Sequence, residues 1–404
     1  MSIEIIGMVG TKEISESRGS FDGPQIDAGY LTRFAQAHEE AGFDRVLIGY
    51  GATGPDGFAV AAHVLYATSA LKVLIAHRPG FAAPTLVARK LATLDQLTGG
   101  GRVAIHHITG GDEPDQKRDG DFTGHDRRYA RTAEFMSLLR RELTSADPFD
   151  YDGEFYQVRG AYSSVRPPTA TGIPLYFGGA SAPAVDVGAE HADVYMLWGE
   201  PVAQIAERIT RIQAAAARHG RSVRFSLSVR PIVADTEEAA WQRAEDIRSA
   251  TAGRVQTKTA QVQGIQVPSH GRSSGFRESS SVGSERLQRQ GAERDVHDER
   301  LWYGVTKLTG PGGNSTRAGR HPAAGHRRPD GLPPGGRGHR AHPRLRPAGR
   351  RGGLGQGPGA AAARAGGAHT GRRGHGRGGA TLGMNHPPEL PGRCRGAHVS
   401  ARSD

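Results

Sequence analysis

Short runs rich in Ile and Val alternate, over the first 316 residues, with longer stretches whose apolar positions recur at helical spacing. The runs at residues 3–9, 45–49, 71–77, 103–109, 175–179, 192–198 and 224–234 read as strands. The stretches at 30–41, 84–97, 129–143, 182–190, 202–219 and 237–250 read as helices. Strand–helix alternation is the pattern of βα units on a parallel sheet. Seven such repeats favour an α/β fold of the TIM (β/α)8-barrel type over an open doubly wound sheet. An eighth strand is expected shortly after residue 316, and no apolar run supplies it there. Two stretches interrupt the alternation. Residues 112–123 are charged directly after a strand end and read as an active-site loop. Residues 252–284 are rich in Ser, Gly and Gln without period, and read as a mobile lid or as plain disorder.

Composition divides the chain at Thr316. From Arg317 to Asp404 there are 22 Gly and 17 Arg, and no Lys, Ile, Phe, Tyr or Trp. Such a segment cannot bury enough apolar surface to offset its ordering entropy, so a disordered tail is expected. The whole-chain charge of +11 then loses its meaning. The tail sets 17 Arg against Asp330, Glu389 and Asp404, a net +14, and leaves the body 35 basic and 38 acidic residues, a net −3. Nucleic-acid binding by the Arg/Gly tail is a separate reading, weakened by the absence of aromatics for base stacking. The single cysteine, Cys394, excludes disulfides within the chain and thiolate metal sites. No apolar run approaches a membrane span and the N-terminus has no leader pattern, so a cytoplasmic location is expected.

In barrels of this kind the chemistry gathers at the C-terminal ends of the strands. Strand five ends in Phe177-Gly-Gly-Ala-Ser181 directly before a helix. Two glycines and a small residue let backbone N–H groups approach an anion, and Ser181 adds a hydroxyl at a helix N-terminus. The stretch is either a phosphate seat built on Gly179, Ala180 and Ser181, or a strand-to-helix turn with Ser181 as N-cap. His106 and His107 are adjacent on a strand and point to opposite faces, which argues against a shared metal. His125 and Tyr129 stand four apart and can share a helix face.

Several of these segments together resemble one family. Leu91-Ala-Thr-Leu-Asp-Gln-Leu-Thr-Gly-Gly-Gly-Arg102, Ile108-Thr-Gly-Gly111, His125-Asp-Arg-Arg-Tyr129, Leu175-Tyr-Phe-Gly-Gly-Ala-Ser181 and Leu197-Trp-Gly-Glu-Pro201 are similar to the bacterial-luciferase-like flavin monooxygenases, within them to the alkanesulfonate monooxygenase branch. The resemblance implies a TIM-type barrel that uses O2 and reduced FMN (FMNH2) from a separate NAD(P)H:flavin reductase, acting as a homo-oligomer on a small organosulfur compound. An F420-dependent oxidoreductase shares that barrel and is the alternative. By resemblance, Asp56, Thr109, His125, Tyr129 and Ser181 hold FMN. Tyr129 and Ser181 stand near its phosphate, while Ala76 and Trp198 line the isoalloxazine pocket. Arg230 and Arg294 match regions that neutralise a sulfonate. The sulfonate branch's cysteine near the end of strand two is Gly54 here, its strand-seven histidine is Arg230, and residues 10–17 lack a histidine-bearing turn. These departures bear on the substrate rather than on the flavin.

The tail also carries a shifted message. Written as codons and started one base later, residues 317–322 are compatible with Ala-Leu-Val-Gly-Thr-Pro and residues 341–348 with Leu-Ile-Arg-Gly-Phe-Asp-Pro-Leu, the continuation and last strand that the family would have. Residues 355–363 allow a closing helix in the same frame. The tail from Arg317 reads as out-of-frame translation. A chain without its eighth strand and last helix is expected to fold poorly or bind FMN weakly.

Overall fold

The computed structural model describes residues 3–13, 25–110, 113–169, 172–264, 281–309 and 316–320, all within one compact unit of the chain. The tail beyond Arg320 and residues 265–280 of the expected lid lie outside the described residues. In chain order the elements are β1 (Ile6–Val9), α1 (Ala28–Glu40), β2 (Arg45–Ile48), α2 (Gly57–Ala67), β3 (Lys72–His77), α3 (Pro84–Leu97) and β4 (Val103–His107). Next come α4 (Glu113–Arg118), α5 (His125–Thr144), β5 (Phe149–Asp152), β6 (Gln157–Ala161), β7 (Leu175–Gly178), α6 (Ala182–His191), β8 (Val194–Trp198) and α7 (Val202–Ala217). The described chain ends with β9 (Arg224–Ser228), β10 (Arg230–Ala234), α8 (Glu237–Gly264), α9 (Val282–Glu293), β11 (Val296–His297), β12 (Leu301–Trp302), α10 (Gly304–Thr309) and β13 (Thr316–Arg320).

Seven strands form one parallel sheet in the order β1-β2-β3-β4-β7-β8-β9, the wall of a TIM-type barrel. Alternation along each strand separates two cores. Ile6, Leu74, Ala104, Tyr176 and Val194 face the interior of the curl. Val46, Ile75, Ile105, Phe177 and Phe225 face outward into a larger core with residues such as Leu31, Val64, Val87, Phe135 and Ile212 of the surrounding helices. A buried ion pair joins the N-terminal ends of the inner wall. Arg45 donates to Glu4 at 3.2 Å, and the Tyr176 hydroxyl donates to the other Glu4 oxygen at 3.2 Å. Helix α6 sits close on the sheet because Gly188 has no side chain; a Cβ there would lie 2.3 Å from the Tyr195 ring and 2.8 Å from Phe177.

Several sequence expectations change in detail. The seventh strand, read as 224–234, is two strands: β9 stays in the barrel sheet, and β10 leaves it at Val229 for a second sheet ordered β10-β13-β12-β11. Pro231 suits that edge position, since it has no N–H to give to a partner on its free side. Ile232, Ala244, Trp302 and Val305 form a small core beneath this sheet. Helix α8 runs on to Gly264, past the predicted end at 250 and into the stretch read as a lid, and α9 already begins at Val282. The charged segment 112–123 contains α4 rather than only a loop. Helix α5 begins at His125, four residues before its predicted start. The expected eighth barrel strand is not among the described residues; β13 belongs to the second sheet, parallel to β10.

Candidate functional site

The turn after β7 is where chemistry-bearing side chains converge. Ser181 is the N-cap of α6, its hydroxyl oxygen accepting from the Ala184 N–H at 3.4 Å. The Tyr129 phenol comes close to the same hydroxyl from the second turn of α5, its oxygen 3.3 Å from a Cβ built on Gly179. Ser181 is thus a cap and part of a polar seat at once. Burial holds the Tyr129 pKa above its ordinary value, against the lowering effect of the nearby Ser181 hydroxyl, so at neutral pH the phenol keeps its proton and can donate. His125 packs its ring edge-on against Tyr129, centroids 5.0 Å apart, as their four-residue spacing predicts. The His125 Nδ1 lies 2.7 Å from Asp126.

Gly179 is required where it stands. A Cβ there would lie 2.5 Å from the Ala184 methyl and 3.3 Å from the Tyr129 hydroxyl. Its carbonyl accepts from the Tyr195 hydroxyl at 2.9 Å and from Arg208 at 3.1 Å, which fixes the direction of the next peptide. In the first turn of α6, Pro183 has no N–H and Ala184 gives its own to Ser181, which leaves the Ala182 N–H, the N-terminal end of the helix dipole and two hydroxyls around one small space. That donor set fits a phosphate monoester.

Around the seat, the inner wall is set by β3, β4 and β8. Ala76 lies beside His106 in register and is buried. His106 is half-buried on the inner wall, its ring 3.3 Å from a Cβ built on Gly178, and burial pushes its pKa down to about 4. His107 points the other way, wholly buried against Phe135, with Nδ1–H donating to the Tyr176 carbonyl at 3.2 Å. Thr109 is buried and donates to the Thr132 hydroxyl at 3.1 Å, so its side chain ties the end of β4 to α5. Asp56 is exposed and is the N-cap of α2, accepting from Ala59 N–H at 2.9 Å. Trp198 is 38% exposed at the end of β8. Its ring lies 3.0 Å from a Cβ built on Gly283 of α9, with the Ala180 methyl 3.5 Å from the same point.

The two arginines expected for the substrate anion separate. Arg230 opens β10, two residues beyond Ser228, which pairs with Trp198. Arg294 is exposed at the C-cap of α9, roughly 16 Å along the helix from Gly283 at 1.5 Å per residue. The structure does not bring it to Ser181 or Trp198.

Other residues acquire roles that sequence patterns did not show. Glu200 has a wholly buried carboxylate held by Arg208 and Arg286. Arg78, buried at the end of β3, lies 4.8 Å from the Tyr50 ring and 4.3 Å from Phe81, and pairs with Asp115 and Asp119. Asp115 also accepts from Ala52 N–H at 3.2 Å, so α4 is pinned over the 50–56 loop. Arg128 donates to the carbonyls of Thr123 and Gly110, placing a buried cation one residue from Tyr129. A cleft of about 640 Å³ opens beside α5, lined among others by Phe81, Phe122, Phe155, Arg127 and Arg131. Its arginines lie two positions from His125 and Tyr129, on the opposite side of the helix. They are paired with Glu154 and Asp121.

Comparison with known proteins bears on family and fold. A family described as luciferase-like monooxygenase matches residues 8–317. The fold is similar to that of EDTA monooxygenase (EmoA) from Chelativorans sp. BNC1, with TM-score 0.56, 16% identity, and 62% of this chain and 69% of that one covered. It is similar to DmoA from Hyphomicrobium sulfonivorans, with TM-score 0.55, 18% identity and 72% of each chain covered. It is also similar to the coenzyme F420-dependent tetrahydromethanopterin reductase of Methanopyrus kandleri, with TM-score 0.55, 15% identity, and 79% and 87% covered. At these identities the likeness is one of fold.

Proposed function

The chain belongs to the luciferase-like monooxygenase family, and we propose that it is a two-component monooxygenase that uses reduced FMN from a separate NAD(P)H:flavin reductase to oxygenate a small organosulfur compound. The observation that carries the reading is the meeting of the Tyr129 and Ser181 hydroxyls at the start of α6, over a Gly179 that cannot bear a side chain.

Residues of this chain would hold FMN by its phosphate. Tyr129, protonated because burial raises its pKa, donates to a phosphate oxygen, and the Ser181 hydroxyl with the Ala182 N–H completes the seat. Ala76 and Trp198 border the space available to the ring system. The half-exposed Trp198 and the start of α9 narrow access to that space, and exclusion of water favours oxygen transfer over loss of H2O2. When bound, reduced FMN supplies the two electrons that activate O2, one oxygen atom entering the substrate and the other leaving as water. For an alkanesulfonate the products are an aldehyde and sulfite. Arg230, two residues along the chain from Ser228, the register partner of Trp198, is a better candidate than Arg294 to neutralise the sulfonate. A second reading, an F420-dependent oxidoreductase, is supported by the similarity to the Methanopyrus kandleri reductase.

The test is titration with FMN, riboflavin and F420 by fluorescence quenching, followed by sulfite release from an alkanesulfonate panel with reduced FMN supplied by a flavin reductase. FMN binding that exceeds riboflavin binding, with sulfite produced, is the expected result. Binding of F420 without FMN would replace this reading by the second one.

A further inference from the structure

Glu200 stands two residues after Trp198 with a carboxylate that has no solvent exposure, and its two oxygens serve different parts of the molecule. Oε1 accepts from Arg208 at 2.5 Å, and the same guanidinium donates to the carbonyl of Gly179 at 3.1 Å. Oε2 accepts from Arg286 at 3.0 and 2.6 Å and from Gln290 at 3.2 Å, both on α9. One oxygen is thus tied to the turn that seats an anion, and the other to the helix whose Gly283 packs on Trp198 and Ala180.

Further bonds from the same region land on the same short loop. The Tyr303 hydroxyl lies 3.2 Å from the Gly199 carbonyl and 2.6 Å from Gln290 Oε1. Asp298, held at φ 44°, accepts from the Val202 N–H at 2.6 Å and so caps α7, whose N-cap Pro201 offers no side-chain bond. A non-glycine residue keeps a positive φ only where surrounding contacts impose it. The strands and helix after residue 281 are fastened to residues 199–202, and those residues reach the anion seat through Glu200 and Arg208.

We infer that Glu200 is a positioning residue that couples the docking of α9 to the backbone geometry of the turn at residues 179–181. A buried carboxylate cannot leave half of its bonds unmade without a large desolvation penalty. If α9 withdraws, Oε2 loses Arg286 and Gln290 together, the carboxylate turns toward what remains, and Arg208 is drawn off the Gly179 carbonyl. The seat is then fully formed only while α9 is docked. The functional consequence rests on the turn being the flavin phosphate seat, whereas the coupling itself does not.

Hydrogen–deuterium exchange on the full chain without flavin tests the coupling. Arg286→Gln removes the charged bonds of the α9 arm, leaves that of Gln290 and alters a partly exposed side chain, so it reads the coupling even where Glu200→Gln fails to fold. Exchange of the amides at 179–184 should rise about tenfold in Arg286→Gln, as expected for loss of a charge-assisted bond. Leu31→Ala, a core truncation in α1 remote from Glu200, should not raise it selectively. Glu200→Asp should restore part of the protection lost in Glu200→Gln. Faster exchange in α9 with unchanged exchange at 179–184, or an equal rise in Leu31→Ala, would overturn the coupling. FMN and riboflavin titrations of Arg286→Gln separate the two ideas. Coupled exchange with undiminished FMN affinity upholds the clamp and removes the cofactor assignment of the turn.

Discussion

Tyr129 and Ser181 are ordinary residues in sequence, and the fold brings them together at the start of α6. Tyr129→Phe removes one donor from the seat and leaves the ring in place against His125 and Phe177. A hydrogen bond to a charged group is worth about 1.5–3 kcal/mol, so FMN affinity should fall roughly 10- to 100-fold while riboflavin, which has no phosphate, binds as before. Quenching titrations with both ligands check this, and an equal loss for both would remove the phosphate from Tyr129. The i, i+4 spacing of His125 and Tyr129 and the Gly-Gly-Ala-Ser turn were legible in the sequence, because local geometry follows from spacing. Glu200 was not. A glutamate before a proline at a helix start reads as a solvated first-turn acid, and only partners 8 and 86 residues away reveal a buried clamp.

At the scale of elements, β3 and β4 bury two histidines side by side. His77 and His107 are register partners and both lie against Phe135. Burial pushes His77 down to about 4, with Lys90 and Arg78 adding to the shift and Asp56 opposing it. His107 is held well below its ordinary value by burial and then by His77. A histidine with a depressed folded pKa contributes stability above its unfolded value of about 6.5, and that stability is lost as pH falls toward the folded value. Urea unfolding between pH 7.5 and 4.5 should therefore show stability falling below about pH 6.5, by up to ~1.4 kcal/mol per pH unit for each histidine. His77→Phe should flatten the slope; an unchanged slope would place the pH dependence elsewhere. Strand positions such as these were readable from Ile/Val runs. Helix α4, the hairpin of β5 and β6 and the departure of β10 were not, because short polar elements take their shape from what they pack on. Arg78 holding Asp115 and Asp119 is the case in point for α4.

For the whole molecule, the seven-stranded sheet leaves one side of β1 and one side of β9 unpaired among the described residues. The family match stops at residue 317, one residue past the compositional break. Reading the tail as out-of-frame translation predicts that resequencing around codon 316 finds a base gained or lost. It also predicts that the frame-restored chain melts roughly 10 °C or more above the chain as written, since each kcal/mol shifts a domain of this size by about 2–4 °C. Equal melting of the two chains would show that the segment after Thr316 does not complete the sheet. What the sequence determined alone is the barrel class, the order of its main strands and helices, the glycine-bearing turn and the place where the composition changes. These follow from periodicity and from residue types whose backbone needs are local. The tertiary structure alone decided which side chains meet: Tyr129 with Ser181, Glu200 between two arginines, Arg294 apart from the site. Those contacts join residues far apart in the chain through burial and register, and neither quantity is written in any local stretch of sequence.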